Sequence, residues 1–384
     1  MNDTKRQLDW PNILFLALSP LVAVGGTLWY ELTFGFHWSD LLIFFIFYIL
    51  TAGMGISAGY HRHFAHRSYE CHWALELFYL VCGAASFQNS ALRWSRDHRI
   101  HHQHIDQDED PYNIQKGVFH AHMGWIFYKS DKDDDFSSVP DLAKNKWVVW
   151  QDRYYLPIAI GFGFVLPTLI GWAFGRPLAG LLWGGFVRTV VVHHLTFFIN
   201  SLAHKVGKRP FTEAFSARDS WWLAFLTYGE GYHNFHHRFA SDYRNGYRWY
   251  HWDPTKWWVN LMRWTGAVGR ITHYRKEQLL RARIETEFER VRRQMAVTPT
   301  RFQDRLEKRL QAARNAVEAA AARWEKAKLR YQDMKQSAAE GSQKAREFWK
   351  LRIREYRFQL EASQAKWALL IMVVERLSHH RPSV

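Results

Sequence analysis

The sequence predicts an all-α integral membrane protein: four transmembrane helices, a cytoplasmic helical cap holding a histidine-ligated dimetal site, and a C-terminal helical hairpin or coiled-coil tail. Three observations predict it. Four stretches of roughly 19–23 residues carry almost no charge, the length a helix needs to cross the bilayer core. The 21 histidines gather in tight clusters, mostly outside those stretches. Residues 298–384 repeat apolar side chains at spacings of three and four, as a heptad seam does.

The spans follow in chain order. Asn12–Tyr30, Leu41–Tyr60 and Tyr154–Gly175 hold no charged residue, and Leu178–Asn200 holds only Arg188, with the pair His193/His194 inside it. Trp10, Trp29, Tyr30, Trp38, Trp172 and Trp183 sit near the ends, where an interfacial aromatic belt belongs. The first stretch is too long for a secretory signal core, and no small-x-small cleavage site follows it. Trp73–Phe87 is apolar but broken by Glu76, and reads as a re-entrant or interfacial helix. Lys and Arg set the orientation. The Glu31–Asp40 connection has neither, and the turn between the third and fourth spans has only Arg176, whereas residues 60–153 carry 11. Both termini and the long central loop are therefore expected in the cytoplasm.

The division expected is a membrane domain over 1–275, a linker helix over 276–297 and a basic tail over 298–384. Residues 275–384 hold 26 Lys and Arg against 14 Asp and Glu, which is most of the net charge of +15. Thr298-Pro299 has the form of an N-cap with proline at the first helical position. A seam then runs through Phe302, Leu306, Leu310, Ala313, Val317, Ala320, Trp324, Ala327, Tyr331 and Met334. After a polar break at Ser337–Gln343 containing Gly341, it resumes at Trp349, Ile353, Tyr356, Leu360, Ser363, Trp367, Leu370, Val374 and Leu377. Two such helices around a short turn form an antiparallel hairpin. Its acids are interleaved with its bases, so no single basic stripe for nucleic acid arises.

Three histidine clusters carry the chemistry: His61, His63 and His66; His98, His101 and His102; His233, His236 and His237. In a helix, positions i, i+3 and i+4 share one face, so each HxxHH aims three imidazoles at one point. Composition alone gives one HxxHH about 0.06 times in such a chain. Neutral imidazole suits zinc, copper, iron and nickel. Eight or more histidines exceed one zinc site and suffice for two metal ions side by side. Two redox metals beside a membrane fit oxygen activation on a lipid-borne substrate better than hydrolysis. With Cys71 and Cys82 the only cysteines, a disulfide framework and a thiolate zinc site are both excluded.

The order HRHFAH, HRIHH, HNFHH across four spans resembles the integral-membrane fatty-acid desaturases. The surrounding text is similar to the Δ9, stearoyl-CoA type of acyl-CoA desaturase: Phe87–Asn89, Trp94–His102, Asp110–Asn113, Asn200–His204 and Gly229–His237. The resemblance covers roughly 41–274. It implies a dinuclear iron centre with nine histidine ligands. One iron would take His61, His66, His98, His102 and His237, and the other His101, His204, His233 and His236, with Asn200 acting through a water. His204, a lone histidine, enters on the resemblance alone. His63 and His104 fall where the family has no ligand, and His193 and His194 read as buried hydrogen-bonding or tunnel-shaping residues.

The same comparison implies substrate roles. Asn89, Arg96, Asp97 and Lys129 would meet the CoA headgroup, and Gln88, Trp94, Thr196 and Phe197 would bend an acyl tunnel. Phe197 departs from the family's usual Trp. Ile49 and Gly53, four apart in the second span, would close the tunnel and leave room for C16–C18 chains. The implied reaction inserts a cis double bond into acyl-CoA, with O2 taking two electrons from the chain and two from a donor. No haem or flavin signature is present, so the donor would be a separate ferredoxin, rubredoxin-like protein or cytochrome b5, fed by an NAD(P)H reductase. A hydroxylase or ketolase of the same histidine-box group is the competing enzyme. Phospholipid and acyl-carrier protein are the competing carriers. A metal transporter would instead line its spans with histidine.

Overall fold

The computed structural model describes residues 7–129, 134–297, 303–336 and 343–379. The chain divides into two compact units. The first comprises Met1–Arg209 and Ala214–His273, and the second Pro210–Glu213 and Tyr274–Val384.

In the first unit, four helices are long and apolar enough to cross a membrane: α1 (Trp10–Phe34), α2 (Trp38–Ala65), α3 (Tyr155–Ala173) and α4 (Pro177–His204). Local chemistry sets their starts. Asp9 caps α1 through the Asn12 N–H, with Pro11 following, and the His37 ring accepts the Ser39 N–H ahead of α2. Asp40 is fully buried in the first turn of α2 and holds Arg176 at 2.7 Å, tying the α1–α2 connection to the α3–α4 turn. Two helices run beyond the expected spans. From Ile49 to Ala65, α2 winds as a π-helix that carries His61 out of the apolar stretch. Likewise α4 ends in a 3-10 turn, Leu202–His204.

Trp73–Ala84 is a helix of 12 residues, too short to span. It packs along α2 because glycines remove the obstacles: a Cβ on Gly55 would stand 2.5 Å from the Cys82 carbonyl carbon, and one on Gly83 2.1 Å from the Tyr60 ring. Arg188, the lone charge of the fourth span, is fully buried. It donates to the carbonyls of Ala85 (2.6 Å), Gly163 (2.8 Å) and Gly184 (3.0 Å), binding that short helix to α3 and α4. The all-α expectation omits one element: Tyr69–Cys71 and Val268–Ile271 form a two-stranded antiparallel ribbon with Tyr69 opposite Ile271. Helices Ala91–Gln103, His233–Arg238 and Pro254–Trp264 complete the cap, the first capped by Ser90 and the last by Asp253.

The second unit holds the expected pair of long helices, with a third helix packed into the same core. The helix expected as a linker, α5 (Lys276–Val297), contributes Ile284, Phe288, Val291 and Met295 to one core. In that core, α6 (Gln303–Gln336) places Leu310, Val317 and Ala320, and α7 (Gln343–His379) places Leu360, Trp367 and Val374. These are positions of the expected seam. The Trp367 indole N–H donates to Glu287 at 2.8 Å, closing the third side. The Thr298-Pro299 cap, Phe302 and the break at 337–342 lie outside the described residues.

Candidate metal centre and substrate cavity

Nine histidines converge in two groups. His61, His66, His98, His102 and His236 form one, and His101, His204, His233 and His237 the other; within each group the ligand nitrogens lie within 4.8 Å of one another. The expected division had His236 and His237 the other way round. On helix His233–Arg238 the nitrogen of His236 lies 3.0 Å from both His61 and His102, whereas His237 lies 3.0 Å from His233 and 3.3 Å from His101. Adjacent residues on a helix point about 100° apart, so each serves a different group.

Polar partners behind the rings fix their directions. His101 Nδ1 meets Asp110 at 2.9 Å, and His204 Nδ1 meets the Ser216 hydroxyl at 2.7 Å, which in turn donates to Asp106. His98 Nδ1 meets the Tyr112 hydroxyl at 3.2 Å. His61 Nδ1 lies 2.8 Å from Glu230. In each case the other nitrogen is left facing inward, the arrangement by which outer partners orient metal-binding imidazoles. Glu230 is itself buried, accepting from Ser57, from Arg62 at 3.0 Å and from Asn245 at 2.5 Å. Arg62 reaches on to Asp253 and the Tyr243 carbonyl.

The electrostatics favour bare, neutral rings. Burial and then mutual repulsion hold His66, His98, His101, His233, His236 and His237 well below the usual histidine range, and His102 down to about 3. Burial alone would raise Glu230, but its contacts with His61 and the Arg62 guanidinium outweigh it and bring it down to about 2. Burial pushes Asp110 up to about 7. Imidazole nitrogens crowded to 2.7–3.3 Å without protons repel one another, and a cation shared among them relieves that repulsion. The donor set fits two transition-metal ions, one per group, and contains no thiolate.

A cavity of about 570 Å³ reaches both groups, being lined by His61 and His98 of the first and His101 and His233 of the second. Gln88, Asn89, Trp94, Arg96, Asp97, Lys129, Thr196, Phe197 and Asn200 all line it. Gln88 donates to Thr196 at 3.0 Å, and the Trp94 indole stacks on His98 at 4.9 Å. Arg96 is buried and paired with Asp97 at 2.7 Å. Ile49 and Gly53 do not line the cavity. Ile49 is 46% exposed on the outer side of α2, and the space beside Gly53 is filled by Tyr228, whose ring would stand 2.7 Å from an added Cβ. With Ile49 exposed and Gly53 packed on Tyr228, neither position is left to bound the cavity.

His193 is the informative extra residue. Its Nε2 meets the carbonyls of Ser86 (2.9 Å) and Phe87 (3.1 Å) and so holds a turn in which Phe87 (φ 57°) and Asn89 (φ 78°) are left-handed. That strained turn presents Gln88 to the cavity. His194 instead meets His122 at 3.1 Å, His63 meets the Tyr69 carbonyl at 3.1 Å, and His104 caps helix Ala91–Gln103; none belongs to either histidine group. The sequence reading missed Glu230, Asp110, Tyr112, Asp106 and Ser216. The first three stand inside motifs already singled out, GEGYHNFHH and DPYN, where an acid or phenol beside a histidine cluster was the available signal.

Four membrane-length helices and a nine-histidine, two-group centre beside a cavity define a class: a membrane protein with a histidine-rich candidate metal centre. Within that class, the sequence model of the fatty acid desaturase family matches residues 36–264. Acyl-CoA desaturase 1 of Saccharomyces cerevisiae is 37% identical over 301 residues, covering 77% of this chain and 58% of that protein. A probable acyl-CoA desaturase of Schizosaccharomyces pombe is 42% identical over 263 residues, covering 68% of this chain and 54% of that protein. An sn-1 stearoyl-lipid 9-desaturase of Anabaena variabilis is 34% identical over 276 residues, covering 72% of this chain and 98% of that protein. The chain belongs to the fatty acid desaturase family. It spans little more than half the length of the two yeast relatives.

Proposed function

We propose that this protein is a membrane fatty acyl desaturase that inserts a cis double bond at Δ9 into C16–C18 acyl-CoA. The observation that carries the reading is that one cavity touches both histidine groups, in a chain of this family. His61, His66, His98, His102 and His236 would hold one iron, and His101, His204, His233 and His237 the other. Asn200 would act through a water. Bound there, the two irons would supply the O2-dependent removal of two hydrogens from adjacent methylenes.

The protein's own part is positional. The Gln88–Thr196 pair and Phe197 narrow the cavity beside Trp94 and set which carbons stand by the histidines. Asn89, Arg96, Asp97 and Lys129 supply donors and acceptors for a CoA headgroup, and guanidinium and ammonium groups suit its phosphates. Ile49 and Gly53 have no part in this account. Chain length rests on the stearoyl and palmitoyl named for relatives. Two further electrons would come from a separate ferredoxin, rubredoxin-like protein or cytochrome b5, reduced through an NAD(P)H reductase. Such donors are acidic and would be drawn to the basic face. The Lys and Arg bias supports a cytoplasmic site and cytoplasmic termini.

The test is gas chromatography–mass spectrometry of fatty acids from cells expressing the chain, with double-bond positions derivatised, against a His101→Ala, His236→Ala variant. A Δ9 cis-monoene seen only with intact clusters is expected. A hydroxylated or keto product would replace this reading with the hydroxylase one. Isolated membranes supplied with stearoyl-CoA or with stearoyl phospholipid separate the two carriers, both of which occur among the relatives' names.

A further inference from the structure

The apolar helix Trp221–Leu226 leads toward the histidine helix His233–Arg238, and it is tied to α2 inside the apolar stretch of that span. The Tyr48 hydroxyl donates to the Leu226 carbonyl at 2.9 Å, and the Tyr228 ring fills the space where a Cβ on Gly53 would stand 2.7 Å away. Trp38–Tyr48 is α-helical, so Tyr48 lies about 15 Å along α2, roughly half of a bilayer core ~30 Å thick. Whatever medium surrounds Tyr48 therefore surrounds Leu226. We propose that residues 221–228 are a re-entrant element sunk among the acyl chains of the bilayer, and that residues 249–264 rest on its anionic headgroups.

Backbone, surface and charge all agree with that setting. The last carbonyls of the short helix find partners within the protein: Leu223 takes the Thr227 N–H and hydroxyl, Ala224 the Gly229 N–H, and Leu226 the Tyr48 hydroxyl. Hydrocarbon demands this, since it offers no water to a free carbonyl. Leu223 and Ala224 pack inward, while Trp221 and Phe225 are 75% and 58% exposed. Helix Pro254–Trp264 begins at a different depth, because the Thr255 hydroxyl lies 2.8 Å from that of Ser57, toward the His61 end of the apolar stretch. Its Trp257, Leu261 and Trp264 recur at i, i+4 and i+7 and are all exposed, Trp264 by 84%. Tryptophan belongs at the membrane interface. Rings join the two surfaces, with centroids 4.9 Å apart for Phe225–Trp252 and 5.3 Å for Trp252–Trp257. Glu230, Asp242 and Asp253 are the only acids in residues 220–269, and all three are buried, whereas Arg248 and Arg263 are exposed next to Trp249 and Trp264. Exposed cations without exposed carboxylates suit anionic headgroups. An acidic soluble partner would meet the cations, but not an apolar helix held at the level of Tyr48.

The experiment uses the full chain in vesicles of phosphatidylcholine and phosphatidylglycerol, with nitroxide labels placed singly at Trp221→Cys, Phe225→Cys and Trp264→Cys. Lys144→Cys, at an exposed position, is the water-facing control, and the chain with only Cys71 and Cys82 sets the background. Dissolved oxygen partitions into hydrocarbon and a charged nickel chelate into water. Oxygen should relax the labels at 221 and 225 about tenfold more strongly than nickel, with the order reversed at 144 and the two probes nearly equal at 264. The replaced side chains are exposed, so helix content should not change, and labels at 221 and 225 test the same helix independently. Nickel access at 221 and 225 equal to that at 144 puts the helix in water and overturns the proposal. Shielding of both labels from oxygen and nickel alike assigns the face to another protein or a second copy and also overturns it. A label at 264 lying deeper than one at 225 overturns the order of depth.

Discussion

The two units are both helical, yet they are held together by opposite chemistry. The first buries Arg62, Glu230, Asp253 and Arg188, each held by specific partners, around a nest of imidazoles. The second buries Leu310, Val317, Trp367 and their neighbours, and keeps its ion pairs, such as Arg314–Glu318 and Arg357–Glu361, toward solvent. An apolar core forgives small displacements, because dispersion and water exclusion have no direction. A buried polar network does not, because an orphaned charge or donor costs more than its bond contributed. The two histidine groups sit in the unforgiving unit, where neighbouring side chains set the direction of their rings.

Acid should separate the units most sharply. Eight of the nine histidines are held low, His204 to about 4 and His102 to about 3, and each binds fewer protons folded than unfolded in a window that opens at about pH 6.5. Their contribution to stability is therefore full above pH 6.5 and is lost as pH falls through that window. Glu230, brought down to about 2 from 4.5, loses its share lower still. Asp110 and Asp219, each raised by burial to about 7 from 3.8, work in the opposite sense but are outnumbered. Chelator-treated protein followed by hydrogen exchange should lose protection in residues 61–66, 98–102 and 233–237 below pH 6, while α6 and α7 stay protected. Simultaneous loss in both units would erase the contrast.

Glu230→Ala comes next. It leaves Arg62 and the Asn245 amide buried without their shared acceptor, and about 3–5 kcal/mol of stability should go from the first unit alone. Metal content should fall with it, since His61 loses the group behind its ring. The mirror experiment is Leu310→Ala, which opens a cavity in the bundle for roughly 2–5 kcal/mol and should leave the metal content unchanged. Denaturant melts read against tail and cap probes check both.

A smaller and more specific effect is expected from His193→Leu. Removing the ring frees the Ser86 and Phe87 carbonyls, about 1–3 kcal/mol, and lets the left-handed turn relax. The turn positions Gln88, so the double bond should spread to neighbouring carbons while iron content holds; an unchanged product would show that the turn is held without it. Smallest is Arg270→Ala. Its pair with Glu70 has side chains 79% and 65% exposed, and less than about 1 kcal/mol should change.

Much of this was legible in the chain because it rests on local periodicity. Apolar length marks the four spans. HxxHH marks the two cap helices bearing histidines, since the i, i+3, i+4 face is a property of any helix. The seam of α6 and α7 follows in the same way. What failed were inferences that needed a neighbour to be known. Spacing sets Ile49 and Gly53 near one face, but not what that face meets: Ile49 is left exposed. The small residue at 53 makes room for Tyr228, which lies 175 residues along the chain, rather than for a ligand. His204 has no local pattern at all.

The sequence by itself determined what elements form and which donors exist: spans, histidine faces, an apolar seam and a basic tail. Tertiary structure alone decided the partnerships. It put His236 with His61 and His237 with His101, set Glu230 behind His61, turned a linker helix into the third wall of a bundle, and locked Phe87 and Asn89 in a left-handed turn under His193. The physical reason is common to all four. Periodicity is written by bonds between near neighbours, whereas direction toward a remote partner is fixed only when the whole chain closes and every buried polar group must find its mate.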